Sequence, residues 1–133
     1  MILLDTHVLL WWISDPSRLS KKLVQLIIKS QNEKKLFISA ISFWEIAMLH
    51  KKGRVMLAFD LDTWIQKVVS IQNLQLLDVN YQIFLKSVFL NEPFHPDPAD
   101  RILVSTALNQ GATLVTKDEK ILSYPYVKTY WLD

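Results

Sequence analysis

The chain has 133 residues, 50% hydrophobic and 21% charged, a balance that fills one compact core and excludes a disordered segment. Fifteen basic against thirteen acidic side chains leave a net charge of +2, too small for indiscriminate binding to nucleic acid, so any contact with a polyanion must rest on local cations. Cysteine is absent, which excludes disulfides and thiolate sites; a metal ion would have to be held by oxygen or imidazole.

Taken in chain order, Ile2–Leu4 is a short apolar run that predicts a buried strand. No basic leader or cleavage site precedes it. Asp5 interrupts the run far short of the roughly 20 residues a bilayer span requires, so an unprocessed cytoplasmic chain without a membrane segment is expected. Thr6 to Trp12 predict the start of a helix, and Asp15-Pro16-Ser17 a turn. Leu19, Leu23, Leu26 and Ile27 then recur at helical spacing, with Lys21, Lys22, Gln25 and Lys29 largely opposite.

Leu36–Ile38 predicts a second strand. Ser42 followed by Glu45 has the form of a capping box opening another helix, which Gly53 closes. Asp62 is the expected cap of a helix with the stripe Leu61, Trp64, Ile65, Val68 and Val69. Leu74–Val79 predicts a third strand, and Tyr81, Phe84, Leu85 and Val88 mark one face of the next helix. After the loop Pro93-Phe94-His95-Pro96-Asp97-Pro98, Asp97 as cap and Pro98 at the first helical position start a helix that Gly111 stops. Thr113–Thr116 and Val127–Tyr130 complete the strands. Helices between short apolar strands predict one α/β domain over 1–133, its parallel sheet covered on both faces. Ligands of such sheets bind beyond the carboxyl ends of the strands, where strand order reverses.

Four acids fall at that edge. Asp5 directly follows the first strand, and Asp118 stands two residues beyond the fourth. Glu45 is expected in the first turn of the helix after the second strand, and Asp100 in the first turn of the helix before the fourth. Carboxylates that close repel one another unless a hard cation such as Mg²⁺ or Mn²⁺ neutralises them. Each acid also has a structural reading. Glu45 completes the capping box, Asp100 favours a helix N-terminus, and Asp118 caps a short turn. Asp5 is hardest to explain away, because an acid ending a buried apolar strand is costly without a partner. Their shared edge favours the chemical reading. His7, His50 and His95 lack metal-ligand spacing and are expected as packing or surface residues. No Gly-x-Ser-x-Gly elbow or glycine-rich phosphate loop exists.

In order and spacing, four segments resemble the PIN-domain ribonucleases, most of all the VapC-type toxins of toxin–antitoxin modules. They are Leu4-Asp5-Thr6-His7, Ser39-Ala40-Ile41-Ser42-Phe43-Trp44-Glu45-Ile46, His95-Pro96-Asp97-Pro98-Ala99-Asp100-Arg101 and Leu114-Val115-Thr116-Lys117-Asp118. The resemblance covers essentially the whole chain. It implies a three-layer sandwich with a central parallel β-sheet flanked by helices, and endonucleolytic hydrolysis of RNA that depends on Mg²⁺ or Mn²⁺. It further implies a homodimer and a VapB-like antitoxin partner.

The family's acids match Asp5, Glu45, Asp100 and Asp118. Asp5 and Asp100 would bind the principal cation; Glu45 and Asp118 would bind it through water or help to hold a second. Thr6 and Thr116 match hydroxyl residues that support the first and last acids, and Asp97 matches an extra acid, either cap or outer ligand. Arg101, Lys117 and Lys120 are expected to hold RNA phosphates. The first helix, where either Trp11 or Trp12 is expected to be exposed, is the expected antitoxin surface. A PIN-type nuclease acting in RNA processing or on DNA without an antitoxin would carry the same acids. A non-catalytic module would not need them.

Overall fold

The computed structural model describes residues 1–133. Five short strands, β1 (Ile2–Leu4), β2 (Leu36–Ser39), β3 (Leu74–Leu77), β4 (Thr113–Val115) and β5 (Thr129–Tyr130), form one parallel sheet in the order β3-β2-β1-β4-β5. The connecting helices are α1 (Thr6–Ser14), α2 (Lys21–Asn32), α3 (Ala40–Lys51), α4 (Leu61–Val69), α5 (Tyr81–Val88), α6 (Pro98–Gln110) and α7 (Glu119–Leu122). None is long and apolar enough to cross a membrane.

Every residue of β1 and β2 is buried, and successive side chains point to opposite faces of the sheet. Ile2, Leu4, Leu36, Ile38 and Val115 therefore enter one core with Val8 and Leu9 of α1, Leu23 and Ile27 of α2, and Trp64 and Val68 of α4. Leu3, Phe37 and Leu114 enter the other, against Leu103, Val104 and Ala107 of α6 and Ile121 of α7. This makes the sandwich expected from the unbroken apolar runs. Strand order reverses between β1 and β4, whose register is Leu4 beside Val115. The Asp5 N–H carries that pairing one residue further, donating to the Val115 carbonyl at 3.0 Å.

Several boundaries differ from those the sequence predicts. Ser39, the last residue of β2, caps α3 by accepting the Ile41 N–H at 3.2 Å. Ser42 lies fully buried inside that helix, so the Ser42–Glu45 capping box does not form. The strand passes into the helix without a loop, which shifts the cap three residues upstream. Asp60 rather than Asp62 caps α4. β3 ends at Leu77 and β5 covers only Thr129–Tyr130, both shorter than expected. Gly111 closes α6 at φ +63°, the left-handed conformation for which glycine is the low-cost residue. On α5 the stripe Tyr81, Phe84, Leu85 and Val88 is exposed, while Ile83 and Ser87 turn inward.

Ile38 is fully buried at the centre of the first core. Ile38→Ala is expected to cost about 2–5 kcal/mol by removing buried methylenes and leaving a cavity. Urea unfolding checks this: the midpoint should fall with an unchanged slope.

Candidate active site

Where strand order reverses, the carboxyl ends of β1 and β4 open into a cavity of about 390 Å³, lined by Asp5, Glu45, Asp97, Asp100 and Asp118 together with Lys117. Asp5 ends β1 and caps α1: its Oδ1 accepts the Val8 N–H at 2.8 Å, and its Oδ2 accepts the Thr116 hydroxyl. Thr116 Oγ1 in turn accepts the Asp118 N–H at 3.0 Å. Asp118 Oδ1 caps α7, accepting from the N–H groups of Lys120 (2.8 Å) and Ile121 (3.3 Å). One chain of hydrogen bonds thus fastens two strand ends and two helix starts.

The other two acids arrive from helices. Glu45, in the second turn of α3, accepts the Thr6 hydroxyl at 2.5 Å, and Thr6 is itself 2.9 Å from the buried Ser42 hydroxyl. Ser42 serves the site rather than the helix end. Asp100 sits in the first turn of α6, its N–H donating to the Asp97 carboxylate at 3.0 Å. Its Oδ2 lies 3.1 Å from His95 Nε2, a buried nitrogen that makes no well-aligned hydrogen bond. Asp97 therefore both caps α6 and lines the cavity.

The three expected phosphate contacts separate. Lys117 lines the acidic cavity, with its ammonium 5.8 Å from the Trp131 ring centre. Lys120 lines a neighbouring cavity instead. Arg101 lines neither cavity: its guanidinium makes five hydrogen bonds within the chain, to the carbonyls of Ser87, Val88, Phe94 and His95 and to the Glu92 carboxylate. His7 and His95, expected as packing or surface residues, both stand against the acids. Their positions carried a signal, two residues after Asp5 and two before Asp97, although neither has metal-ligand spacing.

Burial is the largest force on these carboxyls. It raises Asp5 above the usual carboxylate range, against the opposing pull of the Thr116 and Val8 hydrogen bonds and of His7. It raises Glu45 as well, opposed chiefly by the Thr6 hydroxyl. Asp100 is pushed up to about 7, first by burial and then by the charges of Asp97, Asp118, Glu45 and Asp5. Desolvated, mutually repelling carboxylates gain from any cation placed among them. A donor set of oxygens with imidazole and no sulfur fits a hard divalent ion. No three of these side chains converge tightly enough to hold an ion in their present positions.

A doubly wound parallel sheet with a carboxylate-lined crevice over its switch point defines a class of α/β domains. Within that class the chain belongs to the PIN-domain family, whose model matches residues 2–125. It is 34% identical over 132 residues to Ribonuclease VapC22 of Mycobacterium tuberculosis (strain ATCC 25618 / H37Rv), covering 98% of each chain. The fold also superposes on a chain of VapBC2 from Rickettsia felis bound to a DNA fragment from its promoter, with a TM-score of 0.73, 16% identity and complete coverage of both chains. DNA-bound VapBC from Salmonella typhimurium gives a TM-score of 0.68 at 15% identity, covering 97% of this chain and 96% of that one.

Asp100 yields a signed pH dependence. Its carboxyl titrates near 7 when folded and near 3.8 when unfolded, so its favourable contribution is complete below about pH 4 and is lost as pH rises toward 7. In EDTA, the melting temperature of the natural chain should fall across that window relative to Asp100→Asn. Mg²⁺ or Mn²⁺ should restore it at about pH 8 in the natural chain and much less in the variant. Parallel pH curves for the two proteins would contradict this.

Proposed function

We propose that the chain is the toxin of a toxin–antitoxin module, an endoribonuclease that hydrolyses RNA phosphodiester bonds with Mg²⁺ or Mn²⁺. The observation that carries this reading is the Asp5–Glu45–Asp100–Asp118 crevice over the switch point of a PIN domain. A ribonuclease 34% identical along nearly the whole chain supports it. RNA as substrate puts the work of the protein in the cytoplasm.

Asp5 and Asp100 would hold the principal ion, with Glu45 and Asp118 reaching it through water or holding a second. Such an ion supplies an acidified water as nucleophile and neutralises charge on the phosphate. The chain's own contribution is preorganisation. Thr116 and the Val8 N–H fix both oxygens of Asp5, and Thr6, backed by Ser42, fixes Glu45. His95 abuts Asp100 and limits its rotation. Lys117 supplies the one ammonium at the crevice, positioned to pair with a phosphate.

The reading also requires restraint and assembly. Trp11 and Trp12 are both half-buried, so neither stands out as an exposed anchor. Trp11 reaches the crevice, its ring 6.1 Å from Trp131 and 5.6 Å from the Arg18 guanidinium. On the far side of α1, Ile13, Met56, Phe59, Trp64 and Ile71 line an apolar groove of about 430 Å³. An antitoxin segment laid in this groove and over Trp11 would bring a Lys or Arg to the acids in place of the metal. A second copy of the chain would cover the outward stripe of α5 together with Trp44 of α3.

Cleavage of a labelled RNA should require Mg²⁺ or Mn²⁺ and vanish in EDTA. Asp5→Asn, Asp100→Asn and Glu45→Gln should each lower it by more than about a hundredfold, above the loss typical of a residue that merely supports a ligand. Their circular dichroism should stay that of the natural chain. Activity in EDTA, or in the Asp5 or Asp100 variant, would refute the mechanism.

Trp11→Ala should fold and yet bind the product of an adjacent small reading frame roughly thirtyfold more weakly, the loss expected of an aromatic anchor. Binding equal to that of the natural chain would place the docking surface elsewhere.

A further inference from the structure

We infer that the cavity beside the acidic crevice is a nucleobase subsite, which seats an unstacked base of single-stranded RNA next to the phosphate to be cut; this rests on the ribonuclease reading. The cavity measures about 700 Å³ and is lined by Phe94, His95, Tyr124 and Tyr126, flanked by prolines, with Lys120 at its wall. Its rings form a continuous series. Phe94 lies 4.5 Å from His95 and 4.5 Å from Tyr124, and Tyr124 lies 5.4 Å from Tyr126, all between ring centres.

The floor is rigid. Tyr124 is 3% exposed and its hydroxyl donates to the Asn91 carbonyl at 2.7 Å. The loop carrying Phe94 and His95 is held from beneath by the fully engaged Arg101. Tyr126, half exposed, offers a free edge of the platform. Rigid aromatic platforms bind unstacked bases at low conformational cost, because every base has a π face.

Charge and position select RNA as the occupant. No acid lines this cavity, whereas five line its neighbour. A polyanion therefore meets five acids against the single Lys117 in the crevice until a cation enters, and an attractive charge opposed by no lining acid, Lys120, next door. His95 links the two cavities: it lines the aromatic one with its ring packed on Phe94, and its Nε2 lies 3.1 Å from Asp100 of the acidic one. Lys120 is anchored to the same rim through its N–H on Asp118. A base on the platform would leave its own phosphate beside the carboxylates. With a net charge of only +2, stacking supplies affinity that general electrostatics does not.

The test measures binding of short labelled RNA homopolymers by fluorescence anisotropy in EDTA, and their cleavage with Mn²⁺. Tyr126→Ala should bind the preferred homopolymer about tenfold more weakly and raise KM with little change in kcat, whereas Tyr126→Phe, which keeps the ring, should match the natural chain. Lys120→Ala should bind more weakly, with a salt dependence shallower by about one phosphate contact. Failure of the natural chain to bind, or equal binding by Tyr126→Ala, overturns the subsite. So does a Tyr126→Ala variant that loses only its grip on a partner protein. If the natural chain binds RNA through Tyr126 but does not cleave it, the subsite stands and the ribonuclease reading falls.

Discussion

The hydrogen bond from the Thr116 hydroxyl to the Asp5 carboxylate joins the ends of β1 and β4, the two strands between which the sheet changes direction. Asp5 is 7% exposed at the end of an apolar strand, a position where an unpartnered carboxylate would carry a severe desolvation penalty. Thr116 and the α1 N-terminus offset part of that penalty and fix the direction of both oxygens. Asp118 hangs from the same Thr116 oxygen and starts α7. The crevice, the entry of α1 and the entry of α7 are therefore one construction. Loosening any of them would loosen the others.

A second constraint is electrostatic. The fold brings five carboxylates to one cavity and compensates them only partly, with His7, His95 and Lys117 nearby. Burial and mutual repulsion leave Asp100 with a carboxyl near neutral pKa. Such a site is unfavourable to the folded state in isolation and favourable to whatever positive charge it receives. The proposed metal and the proposed antitoxin side chain satisfy the same requirement. This offers a physical reason why one site would serve catalysis and be closed by its inhibitor.

The sheet was legible in the sequence because strands buried on both faces read as unbroken apolar runs, as Ile2–Leu4 and Leu36–Ile38 do. The four acids were legible for a related reason: Asp5 directly follows β1, Asp118 caps α7, and Asp100 and Glu45 lie in the first two turns of their helices, where a charge in an apolar context stands out. Ser42 was misread because a local rule, Ser followed by Glu three residues on, holds only if the helix begins there. Ser39 takes the cap instead, since β2 runs straight into α3. The engagement of Arg101 within the chain was not legible, because its five acceptors lie at the end of α5 and in the segment just before α6, and no spacing rule shows that they converge on one guanidinium. The α5 stripe had the right period. Periodicity identifies a face without saying what covers it.

The pairing of Asp5 with Thr116 spans 111 positions of the chain. During translation Asp5 leaves the ribosome well before the strand that orients it has been made. Chain growth proceeds at about 5–20 residues per second, so several seconds separate the two events. A nascent chain that has not reached β4, or one released before it by a broken message, lacks Asp118 and has no assembled crevice. The wide separation thus works as a timing device: the acids come together only once β4 and Asp118 have been made.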